Sequence, residues 1–114
     1  MKIIDASFDN WDSMAVISLV QGAQPLRELF GKDWHTVGRW AVVDPEVENR
    51  NPILYLETEK GCRWTTSKTI QKKLSEYTEK AKNAGKPLPK CRFYEAEGKN
   101  SGHKFYAIYF EEQL

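Results

Sequence analysis

The sequence is poor in cysteine, in histidine and in long apolar runs. Its 114 residues include two cysteines, Cys62 and Cys91, and two histidines, His35 and His103. Two cysteines cannot build a multi-disulfide framework or a four-cysteine zinc site, so a reduced, cytoplasmic protein is expected. The histidines lie far apart and fit no metal-ligand spacing, such as a pair four residues apart. A surface histidine without a role is the expectation for each. Apolar stretches such as Met14–Ile17 and Trp40–Val43 are far shorter than the roughly 20 residues a membrane-spanning helix needs. The opening Met1-Lys2-Ile3-Ile4-Asp5 reaches an acid too early for a secretory signal. A membrane protein is therefore not expected. Charge of one sign is lacking too, with 17 Lys/Arg against 16 Asp/Glu. Dedicated duplex binders are usually more basic. There is no glycine-rich phosphate loop followed by Lys-Ser/Thr and no glycine-flanked serine elbow around Ser67. Neither enzyme activity, nor a cofactor, nor a metal is expected. Glu57 and Glu59 share a strand face, but such a pair needs a pocket to become chemistry. Cys62 beside Arg63 is a candidate for a lowered thiol pKa, although a strand cysteine is usually a small packed hydrophobe.

What is present is an uneven charge distribution and many aromatics. Residues 1–50 carry 5 Lys/Arg and 8 Asp/Glu, whereas residues 60–104 carry 12 Lys/Arg and 4 Asp/Glu. A basic segment inside a near-neutral chain can form a local anion-binding surface. Four tryptophans and five tyrosines supply faces on which bases can stack.

The length suits a single domain over residues 1–114. Residues 1–12 read as a loosely held segment that Phe8 and Trp11 could anchor. Residues 13–20 are ambiguous: Asp12 or Ser13 could cap a helix, but the β-branched content favours a strand, and a strand is expected. Pro25 suits the first turn of a short helix over Leu26–Phe30, which Gly31 stops. Strands are expected over Trp34–Val43, Ile53–Thr58, Cys62–Thr66, Cys91–Ala96 and Lys104–Glu111. Glu59-Lys60-Gly61 joins the second to the third as a hairpin, and Gly98–Gly102 joins the last two. Ser67 or Thr66 caps a helix over about 68–83, where Ile70, Leu74, Tyr77 and Ala81 form one apolar stripe. Gly85, Pro87 and Pro89 end it. Val42, Leu54, Leu56, Ile70, Leu74 and Tyr77 are the expected core. The fold class is α+β, mainly β. The order strand, strand, strand, helix, strand, strand fits an OB-like five-stranded barrel or curled sheet, with the helix between strands three and four and the short helix before them.

Ile53-Leu54-Tyr55-Leu56-Glu57-Thr58-Glu59-Lys60-Gly61, followed by Thr65-Thr66-Ser67-Lys68-Thr69, resembles a pattern in small bacteriophage and mobile-element single-stranded DNA-binding proteins. There a hydrophobic strand ends in a glutamate-threonine-glutamate-aspartate-glycine turn, and a Thr/Ser-containing helix start follows. Lys60 stands here in place of the acid before the glycine, and no asparagine accompanies Thr66. The resemblance implies an OB-like, DNA-handling protein of phage or plasmid type, active in replication.

Strand alternation places Tyr55 outward, opposite Leu54 and Leu56. It sets Arg63 and Thr65 opposite Cys62, Trp64 and Thr66. In Lys104–Phe110 it sets Phe105, Ala107 and Tyr109 opposite Lys104, Tyr106, Ile108 and Phe110, one set filling the core. Arg39, Tyr55, Arg63, Arg92 and Tyr94 are the candidate basic, aromatic surface, joined by Trp64 and Lys104. Lys68 and Lys72, four apart on one helix face, are candidates for phosphate contacts. The expected function is non-enzymatic binding of single-stranded nucleic acid, DNA by the resemblance. The alternative is a protein-interaction module, such as a phage-encoded inhibitor or adaptor of a host protein, using exposed aromatics as anchors. A homo-oligomer could form through an edge strand, Trp34–Val43 or Lys104–Glu111.

Overall fold

A computed structural model describes residues 2–8, 13–100 and 102–114. The expected positions of Trp11 and of a cap at Asp12 lie outside the described residues. The elements are β1 (Lys2–Ala6), α1 (Ser13–Val20), β2 (Gln24–Pro25), a 3-10 turn (Leu26–Leu29), β3 (Val37–Asp44), β4 (Ile53–Thr58), β5 (Gly61–Thr65), α2 (Lys68–Asn83), β6 (Cys91–Glu97) and β7 (Lys104–Phe110). No helix among the described residues is long and apolar enough to cross a membrane.

The fold is mixed α+β and mainly β. Five strands form one sheet in the order β1-β3-β4-β5-β2, and β6 and β7 form a separate antiparallel pair. They do not close into a barrel, unlike the strict five-stranded expectation. An isolated bridge ties the segment before β3 to the start of β6. His35 exchanges both backbone hydrogen bonds with Cys91, at 2.6 and 2.9 Å.

Alternation along β3 and β4 gives the larger sheet two different faces. Trp40 pairs with Leu56 and Val42 with Leu54. These four join Ile70, Leu74 and Tyr77 of α2 and Phe93, Ile108 and Phe110 of the hairpin in one core. All six expected core residues are buried. Two cross-links fasten α2 to the sheet: Trp40 Nε1 donates to Thr78 Oγ1 at 3.0 Å, and Ser75 Oγ donates to Asp5 at 2.9 Å. The Tyr77 ring stacks on Phe110 at 4.0 Å.

The helix ends follow local chemistry. Ser67 Oγ accepts from the Ile70 N–H at 3.2 Å, satisfying one of the donors a helix start leaves open. At the other end the Lys86 N–H reaches Ala81 O and the Gly85 N–H reaches Lys82 O. This Schellman geometry requires the left-handed backbone that Gly85 adopts at φ 65°.

The amino-terminal third departs from expectation. Residues 13–20 form a helix, because Val16 and Leu19, three apart, are both buried and α1 packs across β3, β4 and β5. Ala41 and Val43, buried on the sheet face opposite the main core, give it an apolar seat. Burial here overrides the β preference of Val16, Ile17 and Val20. Residues 2–6 are not a loose segment: they form β1, paired with β3 from Lys2–Asp44 to Ala6–Ala41. That pairing makes β3 an internal strand, so it cannot serve as an edge for self-association. Its expected start at Trp34 moves to Val37, since His35 is bonded to Cys91. The short helix after Pro25 is a 3-10 turn ending at Leu29.

Candidate nucleic-acid interface

The register of β4 and β5 decides which predicted residues meet. Tyr55 lies directly opposite Trp64, and Glu57 opposite Cys62, while Leu56 lies opposite Arg63. Tyr55 and Trp64 therefore share the outer face, away from the main core. Cβ atoms of directly opposed residues stand about 4.5–5.5 Å apart, so the two aromatic side chains leave the sheet as neighbours. Val20 at the end of α1, Ala23 and Ile53 border the surface they form. The β3–β4 loop also borders it, and its Asn49 holds a left-handed φ of 65°. Asn49, Arg50 and Asn51 of that loop, with Thr66, complete an open groove of about 680 Å³. Among the described residues its lining contains no carboxylate. The loop residues were not singled out from sequence, because a polar stretch reads simply as a loop until tertiary structure shows what it overhangs.

Arg39 belongs to this outer side but is already engaged. Its Nε and Nη2 donate to the two oxygens of Glu57 at 3.0 and 3.2 Å, and its N–H donates to the same carboxylate at 2.9 Å. The guanidinium also lies over Phe8, 5.6 Å from the ring centre. The hydrogen bond from Arg39 holds the Glu57 carboxyl below the ordinary range, against the opposing effect of its partial burial.

Arg63 corrects the sequence expectation outright. It projects to the core side with Leu56, and its side chain is only 11% exposed. Its Nη1 donates to Glu28 at 2.7 Å and its Nη2 to Lys60 O at 3.1 Å. Alternation predicted the opposition of Arg63 to Trp64; it also places Arg63 on the face opposite Tyr55. Lys68 and Lys72 lie on α2 beside β1, lining a different depression with Ile4, Asp5 and Glu76. Carboxylates share that surface. Lys104 opposes Glu97, whereas Arg92 and Tyr94 sit on the other face of the hairpin. The basic residues of 60–104 thus do not form one positive surface.

Three smaller expectations also change. His35 is buried, its Nδ1 within 2.9 Å of Glu59 Oε2 and its ring stacked on Phe93. The Thr36 N–H donates to the same carboxylate at 2.7 Å. Partial burial would raise the Glu59 pKa, but the His35 and Thr36 hydrogen bonds prevail and lower it. Glu57 and Glu59 consequently serve separate partners rather than each other. The Cys62 thiol is pushed up, not down, first by burial and then by the charge of Glu57. Burial pushes Cys91 up to about 12.

Among the described residues no group of three or more His, Cys, Asp or Glu is placed to hold a metal ion. Comparison with known proteins finds no matching family model, no similar curated protein and no similar solved structure.

Proposed function

We propose that the protein binds single-stranded nucleic acid, DNA in the first instance, through the groove between α1, the β3–β4 loop and the outer face of β4–β5. The observation that carries this reading is the Tyr55–Trp64 pair, opposed on adjacent strands in a groove that Arg50 also lines and that holds no carboxylate among the described residues. Trp64 is 37% exposed, which leaves a ring surface for a base. Bases stack on aromatic faces while a nearby cation follows the phosphates. Asn49 and Asn51 supply donors and acceptors for base edges. A groove of about 680 Å³ falls within the usual size of small-ligand sites.

The strand order supports an OB-like reading in which β3 to β7 play the five strands. The His35–Cys91 bridge brings the residues just before the first of them against the fourth, and α2 lies between the third and the fourth in sequence. In OB folds the face of strands two and three and the loop between strands one and two bind oligonucleotides. Here those are β4, β5 and residues 45–52. A replication role in a phage or mobile element accords with such an activity.

A titration of oligo-dT against the protein, followed by tryptophan fluorescence at two salt concentrations, tests the proposal. Tyr55→Ala should weaken binding by roughly 1–3 kcal/mol, and Arg50→Ala should flatten the salt dependence. Unchanged affinity in the Tyr55→Ala, Trp64→Ala double variant would remove the groove. No binding by the wild type at low salt would remove nucleic-acid binding and favour a protein-interaction module. That second reading draws on Met14 and Ile17, which α1 leaves 71% and 46% exposed.

A further inference from the structure

The outer face of the β6–β7 hairpin is a second aromatic surface. Arg92 opposes Tyr109, Tyr94 opposes Ala107, and Ala96 opposes Phe105. These residues share one face. The other face sends Phe93, Ile108 and Phe110 into the core, so the outer rings are not needed to fill it. Tyr94, Phe105 and Tyr109 are 39%, 42% and 45% exposed. Tyr94 is the diagonal neighbour of both Phe105 and Tyr109, and diagonal neighbours lie about 7–8 Å apart. The three rings therefore form a row along the hairpin.

Trp34 extends the row beyond the sheet. The segment 31–35 is held against β6 by the Gly31 N–H on Phe93 O, at 3.0 Å, and by the His35–Cys91 bonds. This sets Trp34 beside Tyr109, with ring centres 6.2 Å apart. The Arg92 guanidinium lies over both rings, 5.0 Å from Trp34 and 5.1 Å from Tyr109. Lys32 and Gly31 border a hollow of about 400 Å³ between Arg92, Tyr94 and Tyr109, and among the described residues no carboxylate lines it. Glu95 and Glu97 oppose Tyr106 and Lys104 and so project to the other side of the hairpin.

We propose that this face is a second stacking surface for single-stranded nucleic acid, independent of the groove at Tyr55 and Trp64. The inference rests on the nucleic-acid reading above and assigns it a second contact. Stacking on several rings in a row, with cations at one end, matches what an extended strand offers: successive flat bases and an anionic backbone. Two cations, with no acid lining the hollow among the described residues, favour that anion over a neutral apolar partner.

Anisotropy of fluorescein-labelled oligo-dT, measured at several salt concentrations, tests it with three proteins. The first is the wild type, the second the Phe105→Ala, Tyr109→Ala variant, and the third the Tyr55→Ala, Trp64→Ala variant. The hairpin variant should lose about tenfold or more in affinity, and the losses of the two variants should combine when all four changes are present. Arg92→Gln should reduce the salt slope by about 0.7, the value for one phosphate contact on a single strand. Circular-dichroism melting should show the hairpin variant folded and melting cooperatively, with a modest loss of stability from the Tyr109 contacts to Trp34 and Arg92. Full affinity in a folded hairpin variant, alongside weakened binding in the groove variant, overturns this inference alone and leaves the face to a protein partner. Absence of wild-type binding overturns the nucleic-acid reading itself, and this inference with it.

Discussion

Replacing Arg63 with alanine should damage stability and spare ligand binding. The guanidinium makes a charged hydrogen bond to Glu28 at 2.7 Å and a second to Lys60 O. A hydrogen bond to a charged group contributes about 1.5–3 kcal/mol. Glu28, 56% exposed, returns to water when its partner is removed, which pulls the loss towards the lower end. The aliphatic stem of Arg63, nearly covered beside Leu56, contributes packing that alanine also removes. The expected total is about 2 kcal/mol. Arg63→Met separates the two contributions. Methionine keeps the stem and removes Nε, which is buried without a hydrogen-bond partner among the described residues; relief of that desolvation offsets part of the lost ion pair. A cost within about 1 kcal/mol is expected for methionine. Urea unfolding followed by fluorescence measures both, with an unchanged m-value as the sign that stability alone has moved. Oligo-dT affinity and its salt slope should match the wild type in both variants. An alanine variant of native stability with a flattened salt slope would refute the assignment of Arg63 to the core side.

Two further outcomes follow from burial and charge. Leu74→Ala, at a fully buried position of the α2 stripe, should cost about 2–5 kcal/mol, whereas the adjacent exposed Lys73→Ala should change stability by less than about 0.5 kcal/mol; similar losses in urea unfolding for the two would contradict the helix orientation. Glu57 has a lowered folded pKa, so its ionised form contributes stability above the unfolded carboxyl value of about 4.3 and that contribution fades as pH falls through the folded value. Glu57→Gln should accordingly be less stable than the wild type near neutrality and converge with it in acid, and parallel pH-stability curves would show that the Arg39 pairing does not favour the ionised form.

Much of the carboxyl-terminal two thirds can be read from local pattern. The stripe Ile70, Leu74, Tyr77 and Ala81 has the period of a helix, Ser67 caps it and Gly85 ends it, and each is a property of adjacent residues. The two hairpins are equally local, because a short loop fixes the register that follows it. Alternation alone placed Tyr55 outward and Leu54 and Leu56 inward.

Tertiary contacts decided the rest. Val16 and Leu19 are helical because the back of the sheet offers Ala41 and Val43 as an apolar seat, and β1 exists because the edge of β3 was open to Lys2–Ala6. Neither partner is near in sequence. The same holds for the charged and aromatic residues. Composition predicts a basic, aromatic surface, but only three-dimensional pairing spends Arg39 on Glu57 and Arg63 on Glu28. It likewise brings Trp34 to Arg92 and Tyr109. The physical reason is one of range. Periodicity and capping act over a few residues, whereas whether a cation is free or paired depends on side chains tens of positions away.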